Sequence, residues 1–343
     1  MDFSIRLGRT RIGTELIWSG ASNSHIYVSG QSGRGKSFFL KHCIAQLPSQ
    51  GVRCIIFDYA GDLHEFAVPY DCLDVRTQAG IDPFRLLDFG QDRIEKPYDT
   101  AVRVAEVVLS VGNVRGSLQQ VLLRNLLKEY IDKGDTRSGF SGLIAQIRKD
   151  PELARMMAPT LLRLQDLDNL LPLASRDFSW GLEQPGITVL KFDSLPYISA
   201  QTMITQFLLF DLWSEKLCRS ENSCPVVAVL DECQRFRFSE SSIFNRILRE
   251  GRKYHFSAWF ASQWINDKRA VEALSQPALQ VCFYPGSNHV NALSGRLPRD
   301  THSAVEYKRL IQGLGIGEFL YIDLQGKPVV NCVPGLEGYL EKC

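Results

Sequence analysis

The chain has 343 residues, enough for one large domain or a domain with a sizeable insertion, and enough to bury a substantial core. Hydrophobic residues make up 45% and charged residues 22%, which argues against a disordered or fibrous chain. The formal net charge of +1 gives no sign of a globally basic nucleic-acid binder, so any basic surface has to be local, as in a pore or cleft.

Met1–Ile12 is polar and arginine-rich, without the apolar stretch of a signal peptide. No run of about 18 apolar residues occurs, so the expectation is a cytoplasmic protein with no membrane insertion. The nine cysteines (Cys43, Cys54, Cys72, Cys218, Cys224, Cys233, Cys282, Cys332 and Cys343) form no CxxC pair and have no zinc spacing; they read as reduced thiols.

In chain order, Asp2–Trp18 holds two alternating segments around Gly8 and Gly13, a predicted β-hairpin. His25–Ser29 reads as a strand, Ser37–Leu47 as a helix ending before Pro48 and Gly51, and Val52–Phe57 as a buried strand. From about Asp82 to Leu171 the apolar residues recur at helical spacing, in Ala101–Val111, Leu118–Ile131 and Phe140–Ile147. Strand character returns in Gly186–Phe192, and Ile198–Leu217 reads as a long amphipathic helix. Val226–Leu230 is an apolar strand, Ser242–Arg252 a helix, and Phe256–Ala261 and Leu279–Tyr284 are further strands. Glu318–Asp323 and Lys327–Val333 read as a hairpin around Gln325 and Gly326. Alternating strands and helices predict an α/β fold, with the sheet contributed by 1–80 and 182–343 and a helical insertion over 81–181.

Gly30-Gln31-Ser32-Gly33-Arg34-Gly35-Lys36-Ser37 fits G-x-x-x-x-G-K-[ST] between a strand and a helix. The glycines allow backbone N–H groups to turn toward phosphates, Lys36 reaches the β- and γ-phosphates, and the Ser37 hydroxyl ligates Mg²⁺. The helix that follows adds its positive end to the same anion, so Gly30 to Phe38 are taken together as the nucleotide-binding segment. The bland alternative is a fortuitous glycine-rich turn. Val226–Leu230 runs into Asp231 and Glu232, acids at the C-terminal end of a buried strand, where ligands of α/β sheets bind. Asp231 would orient the metal shell and Glu232 would act as general base on water, against the alternative of two solvated acids. A glutamate for activating water argues against a small-molecule kinase. Asn266-Asp267-Lys268 has the wrong order for the guanine-reading N-K-x-D motif, which argues against a GTPase. Gln263, past the strand Phe256–Ala261, could touch the γ-phosphate or the lytic water; alone it means little.

Three further segments make the combination specific. They are Ile55-Ile56-Phe57-Asp58-Tyr59-Ala60-Gly61-Asp62, Leu248-Arg249-Glu250-Gly251-Arg252-Lys253-Tyr254, and Ala261-Ser262-Gln263. With the glycine loop and Leu230-Asp231-Glu232 they resemble the HerA–FtsK superfamily of P-loop ATPases, particularly the HerA branch and its conjugation and secretion relatives. The resemblance spans nearly the whole chain: Asn113–Ile131 is similar to the family's insertion helix and Leu310–Pro334 to its closing hairpin. It implies a RecA-like core with a helical insertion and a C-terminal β-hairpin, assembled as a homo-hexamer around DNA, with ATP and Mg²⁺ between subunits. It further implies a trans arginine, Arg249 or Arg252, whose alternative is a solvated helix end, and makes Gln263 a γ-phosphate sensor. Asp58 and Asp62 match the second-strand turn without an evident role, and Asp62 stands where the family usually has Glu. The family's N-terminal barrel, membrane helices and DNA-reading domain have no counterpart here, which suggests a nearly bare motor.

Phosphate-backbone contacts to DNA, without sequence readout, would come from Arg235-Phe236-Arg237, Arg115 or Lys133–Arg137, each equally readable as surface charge. The sequence reading is therefore a HerA-like DNA translocase acting with a nuclease or other effector in DNA processing or defence. The alternatives are a conjugation or secretion ATPase at a membrane complex, and an ATP-gated scaffold for partner subunits.

Overall fold

The computed structural model describes residues 3–20, 23–78, 80, 82–111, 117–134, 136–170, 179–219, 222–297, 303–322 and 329–332. β1 (Ser4–Thr10) and β2 (Glu15–Ser19) form the expected antiparallel hairpin, with a register shift between Arg6 and Gly8. β3 (Ile26–Ser29) leads into α1 (Lys36–Ile44), which stops short of the expected Leu47, and then come β4 (Arg53–Asp58) and β5 (Asp71–Asp74). The helical stretch comprises α2 (Pro97–Ser110), α3 (Ser117–Asp132), α4 (Gly139–Arg148), α5 (Pro151–Met156) and α6 (Ala158–Leu170). There follow β6 (Gly186–Lys191), α7 (Ile198–Cys218), β7 (Val226–Leu230), α8 (Ile243–Glu250), β8 (Phe256–Ser262) and α9 (Lys268–Ala273). The chain continues through β9 (Leu279–Phe283), α10 (Val290–Arg296), α11 (Ala304–Gln312), β10 (Glu318–Ile322) and β11 (Val329–Cys332). β10 and β11 pair antiparallel as expected; the turn at Gln325 and Gly326 lies outside the described residues.

The chain divides into two compact units. The first comprises Met1–Cys72, Leu182–Val189 and Cys224–Cys343, and all eleven strands have residues in it. Their order is β2-β1-β11-β10-β9-β3-β8-β7-β4-β6-β5. The centre is parallel (β9, β3, β8, β7, β4), and the β1, β2, β10 and β11 side is antiparallel. β7 and β8 are buried along their whole length, because a parallel strand covered on both faces keeps no polar side. The main core packs Ile26, Val28, Phe39, Ile56, Val229 and Phe283 on one face, and a smaller cluster joins Val290, Tyr307, Ile311 and Leu320.

The second unit comprises Leu73–Gly181 and Leu190–Ser223, so it takes in α7 as well as the helices expected as an insertion. Phe84 packs on Tyr130 and Phe140, with ring centroids 5.4 and 4.9 Å apart. A buried ion pair joins Arg103 Nε to Glu95 Oε1 at 2.9 Å, and Arg103 also donates to the Arg85 carbonyl, so its charge is both paired and hydrogen-bonded. α7 corrects the amphipathic expectation. Its buried residues fall on every side, including Gln201, Thr202, Thr205 and Gln206. These polar side chains are tolerated because each is satisfied nearby: Thr202 and Thr205 donate to carbonyls one turn back, and Gln201 to Phe192 and Leu195. Among the described residues no helix is long and apolar enough to cross a membrane.

Candidate nucleotide site

Strand register builds the site. Ser29 of β3 lies beside Ser262 of β8, and Leu230 of β7 beside Phe57 of β4 and Phe260 of β8. The residues that follow these pairs (Gly30, Asp58, Asp231 and Gln263) therefore emerge along one C-terminal edge of the parallel sheet.

The loop after β3 is held from behind. Gly30 N–H donates to the Ser262 carbonyl at 3.2 Å and Gln31 N–H to the Tyr284 carbonyl at 2.9 Å. Gly30 has φ +148°, and a Cβ there would stand 2.5 Å from Cβ of Phe283, so close approach as well as conformation requires glycine. The Arg34 guanidinium lies 4.6 Å above the Tyr284 ring. Gly30, Gln31 and Arg34 thus frame the loop and do not line its cavity. Ser32, Gly33, Gly35, Lys36, Ser37 and Phe38 line a cavity of about 400 Å³, together with Lys41, Asp62, Asp231, Glu232 and Ile316. Gly35, at φ +106°, caps α1 and turns the helix's free N-terminal N–H groups to this edge.

Lys36 is only 8% exposed and donates from Nζ to the Gln31 carbonyl at 3.2 Å. Burial lowers its pKa, partly offset by Asp231, Glu232 and Asp62. Asp231 is 5% exposed; burial pushes its carboxyl up to about 6, although the Glu232 N–H, donated to Oδ1 at 2.8 Å, works in the opposite direction. Glu232 sits at φ +50°, ψ +38°, a left-handed conformation that costs a non-glycine residue on the order of 1 kcal/mol. Its carboxylate accepts from two amides: Gln263 Nε2 reaches Oε1 at 3.3 Å, and Gln234 Nε2 donates to Oε2. Gln263 therefore meets the general-base candidate directly, and Gln234 is a partner that sequence reasoning missed.

Asp58 gains a role. Its Oδ1 accepts the N–H groups of Gly61 (2.9 Å) and Asp62 (3.2 Å), and its Oδ2 that of Leu63 (3.2 Å). This clasp shapes the turn that delivers Asp62 to the cavity wall. The D-x-x-G-D pattern held that signal, whereas Lys41 and Ile316 had none.

Arg249 and Arg252 are exposed and stand outside the cavity of their own chain. The Arg235-Phe236-Arg237 segment does not form a free loop: Phe236 is 5% exposed and stacks on Phe244 at 4.5 Å, and Arg235 lies 5.4 Å over Tyr59, leaving Arg237 exposed. Lys133 pairs with Glu129 at 2.6 Å, and Arg137 is exposed. Arg115 lies outside the described residues. Asp267 caps α9 by accepting the Ala270 N–H, so the Asn266–Lys268 segment serves a helix start.

A family model described as an AAA-like domain matches residues 18–331. No curated protein matches the chain. Among solved structures, VirB4 of Thermoanaerobacter pseudethanolicus is similar with a TM-score of 0.72 and 17% identity, covering 96% of both chains. The plasmid coupling protein TrwB, solved with the ATP analogue ADPNP, gives a TM-score of 0.64 at 17% identity, over 90% of this chain and 85% of that one. TrwB with ADP and Mg²⁺ gives 0.62 at 16%, over 90% and 84%. At these identities the likeness is one of fold, the RecA-like α/β P-loop core.

Proposed function

The chain belongs to the AAA-like domain family, and from that premise we propose that it is a Mg²⁺-dependent ATPase of the conjugation and secretion type, energising macromolecular transfer at a membrane complex. The observation that carries the ATPase reading is the convergence of Lys36 and Ser37 with Asp62, Asp231 and Glu232 around one cavity. Lys36 supports an anionic ligand: it is a buried ammonium whose Nζ donates to a neutral acceptor, the Gln31 carbonyl, an arrangement that favours phosphate. The Ser37 hydroxyl and Asp231 carboxylate are hard oxygen donors of the kind Mg²⁺ takes alongside phosphates. The TrwB complexes with an ATP analogue and with ADP and Mg²⁺ support the same pair of ligands.

Bound Mg²⁺ would neutralise charge developing on the phosphates during transfer to water. Lys36 would turn from the Gln31 carbonyl to phosphate oxygen, and Ser37 and Asp231 would hold the metal. Glu232 takes the proton of the attacking water, its carboxylate aimed by the Gln234 and Gln263 amides. Arg249 or Arg252, both exposed and outside the cavity of their own chain, would be free to reach the phosphates of a neighbouring copy in a homo-hexamer.

The transfer-ATPase reading is preferred to the HerA-like translocase because the likeness to VirB4 covers 96% of each chain and so includes the helical stretch as well as the core. ATP hydrolysis with and without linear double-stranded DNA, in low and moderate salt, distinguishes the two. Turnover indifferent to DNA, with recruitment to a partner-bearing membrane, is the expected result. Salt-sensitive stimulation by DNA would transfer the assignment to a translocase gripping phosphates, acting beside a nuclease or other effector.

A further inference from the structure

The tip of the β1–β2 hairpin reaches the nucleotide cavity through a chain of contacts that sequence spacing hides. Arg11 donates from Nε to Oε1 of Glu318 and from Nη2 to Oε2, both at 2.7 Å, and again from Nη2 to the Gly313 carbonyl at 3.1 Å. A fork of this kind fixes orientation as well as distance. Glu318 Oε2 also accepts the Gly315 N–H at 2.9 Å. Two residues on, Gly317 (φ +82°) donates its N–H to the Arg34 carbonyl within the phosphate loop at 3.0 Å. The short segment Gly313–Gly317 is thereby pinned at one end by an N-terminal arginine and at the other by the P-loop.

Between these pins stands Ile316. It is 42% exposed and lines the cavity, as does Phe38 at 58%. Every other lining side chain is polar, charged or absent, so Ile316 and Phe38 are the cavity's two apolar surfaces. Phosphates and a metal have no use for such surfaces, whereas the faces of a nucleobase do. Arg11 holds the Glu318 carboxyl below its usual range, mainly through their hydrogen bonds, which agrees with a clamp that is closed in the charged state.

We propose that Arg11 is a positioning residue for the base end of the nucleotide: by clamping Glu318 it sets the Gly313–Gly317 lip against the P-loop, so that Ile316 and Phe38 take the base by its faces. This deepens, and rests on, the assignment of the cavity as an ATP site. The clamp meets the phosphate loop only through the Arg34 carbonyl, while Gly33 and Gly35 make their own positive-φ turns and Lys36 and Ser37 belong to α1, so the phosphate end should keep its shape without the clamp.

The test compares ATP with inorganic tripolyphosphate, which has the phosphates and no base. Steady-state hydrolysis gives KM and kcat for ATP, and competition gives tripolyphosphate affinity. Arg11→Ala and Ile316→Ala should each raise KM for ATP roughly tenfold, the scale of a lost apolar contact. Both should leave kcat within about twofold and tripolyphosphate affinity unchanged, which also certifies a folded site. The charge swap Arg11→Glu with Glu318→Arg should recover most of the loss. The clamp is overturned if Arg11→Ala leaves KM unchanged, or if ATP and tripolyphosphate weaken in parallel. Wild-type protein that binds neither would overturn the cavity assignment and this inference together.

Discussion

Asp231 is a carboxylate whose burial favours the neutral form. Burial raises its folded-state pKa from 3.8 to about 6. A raised value means that this group's contribution to stability is fully present below 3.8 and is lost as pH rises through about 6. With Mg²⁺ chelated, Asp231→Asn should therefore stabilise the protein at pH 7.5 by on the order of 1–3 kcal/mol, and should flatten the fall in stability between about pH 4 and 6. Denaturant unfolding at several pH values reads both effects; an asparagine variant less stable than wild type would contradict the account. The proposed role of Asp231 in holding Mg²⁺ would account for keeping a charge that burial disfavours. At this scale the sequence carried the loop and the acids, since P-loop chemistry is written in contiguous residues. Gln234 was not legible: it reaches Glu232 only because that glutamate turns left-handed, which no periodicity announces. Arg11 and Glu318 lie 307 residues apart, and nothing local marks either one.

Among the elements, the parallel strands β3, β4, β7, β8 and β9 were readable as apolar runs bounded by turns, because burial on both faces leaves no alternation to confuse them. α7 was readable as a helix but its environment was not. Its glutamines and threonines suggest a solvated face, yet they are satisfied internally. The short helices α9, α10 and α11 span two or three turns, too little for a helical period to stand out. The junction of β3, β9 and the glycine loop is the tightest place in the site. Gly30→Ala would drive a Cβ into Phe283 at a backbone conformation alanine rarely adopts, so a loss of about 1–3 kcal/mol together with weakened nucleotide binding is expected. Chemical unfolding followed by titration with a fluorescent nucleotide checks it; unchanged stability would show that the strand can retreat.

At the level of the whole molecule, the cavity is lined by Lys36, Ser37, Asp231 and Glu232, the residues proposed for phosphate, metal and base, and by neither Arg249 nor Arg252. The proposed hexamer would supply one of these arginines from a neighbouring copy. Subunits carrying Arg252→Ala or Arg249→Ala should then be partly rescued by mixing with Lys36→Ala subunits, which lack a working loop but still supply the arginine. Activity that only falls in proportion to dilution would assign the arginine to its own chain. Hydrolysis of ATP in this cavity with Glu232 as base is tested directly by one measurement. Purified wild type and Glu232→Gln are each incubated with ATP and Mg²⁺, and the nucleotide retained on the protein is identified. Wild type should release phosphate, while Glu232→Gln should hold intact ATP and turn over at least about 100-fold more slowly. A Glu232→Gln protein that hydrolyses ATP at the wild-type rate would contradict the account.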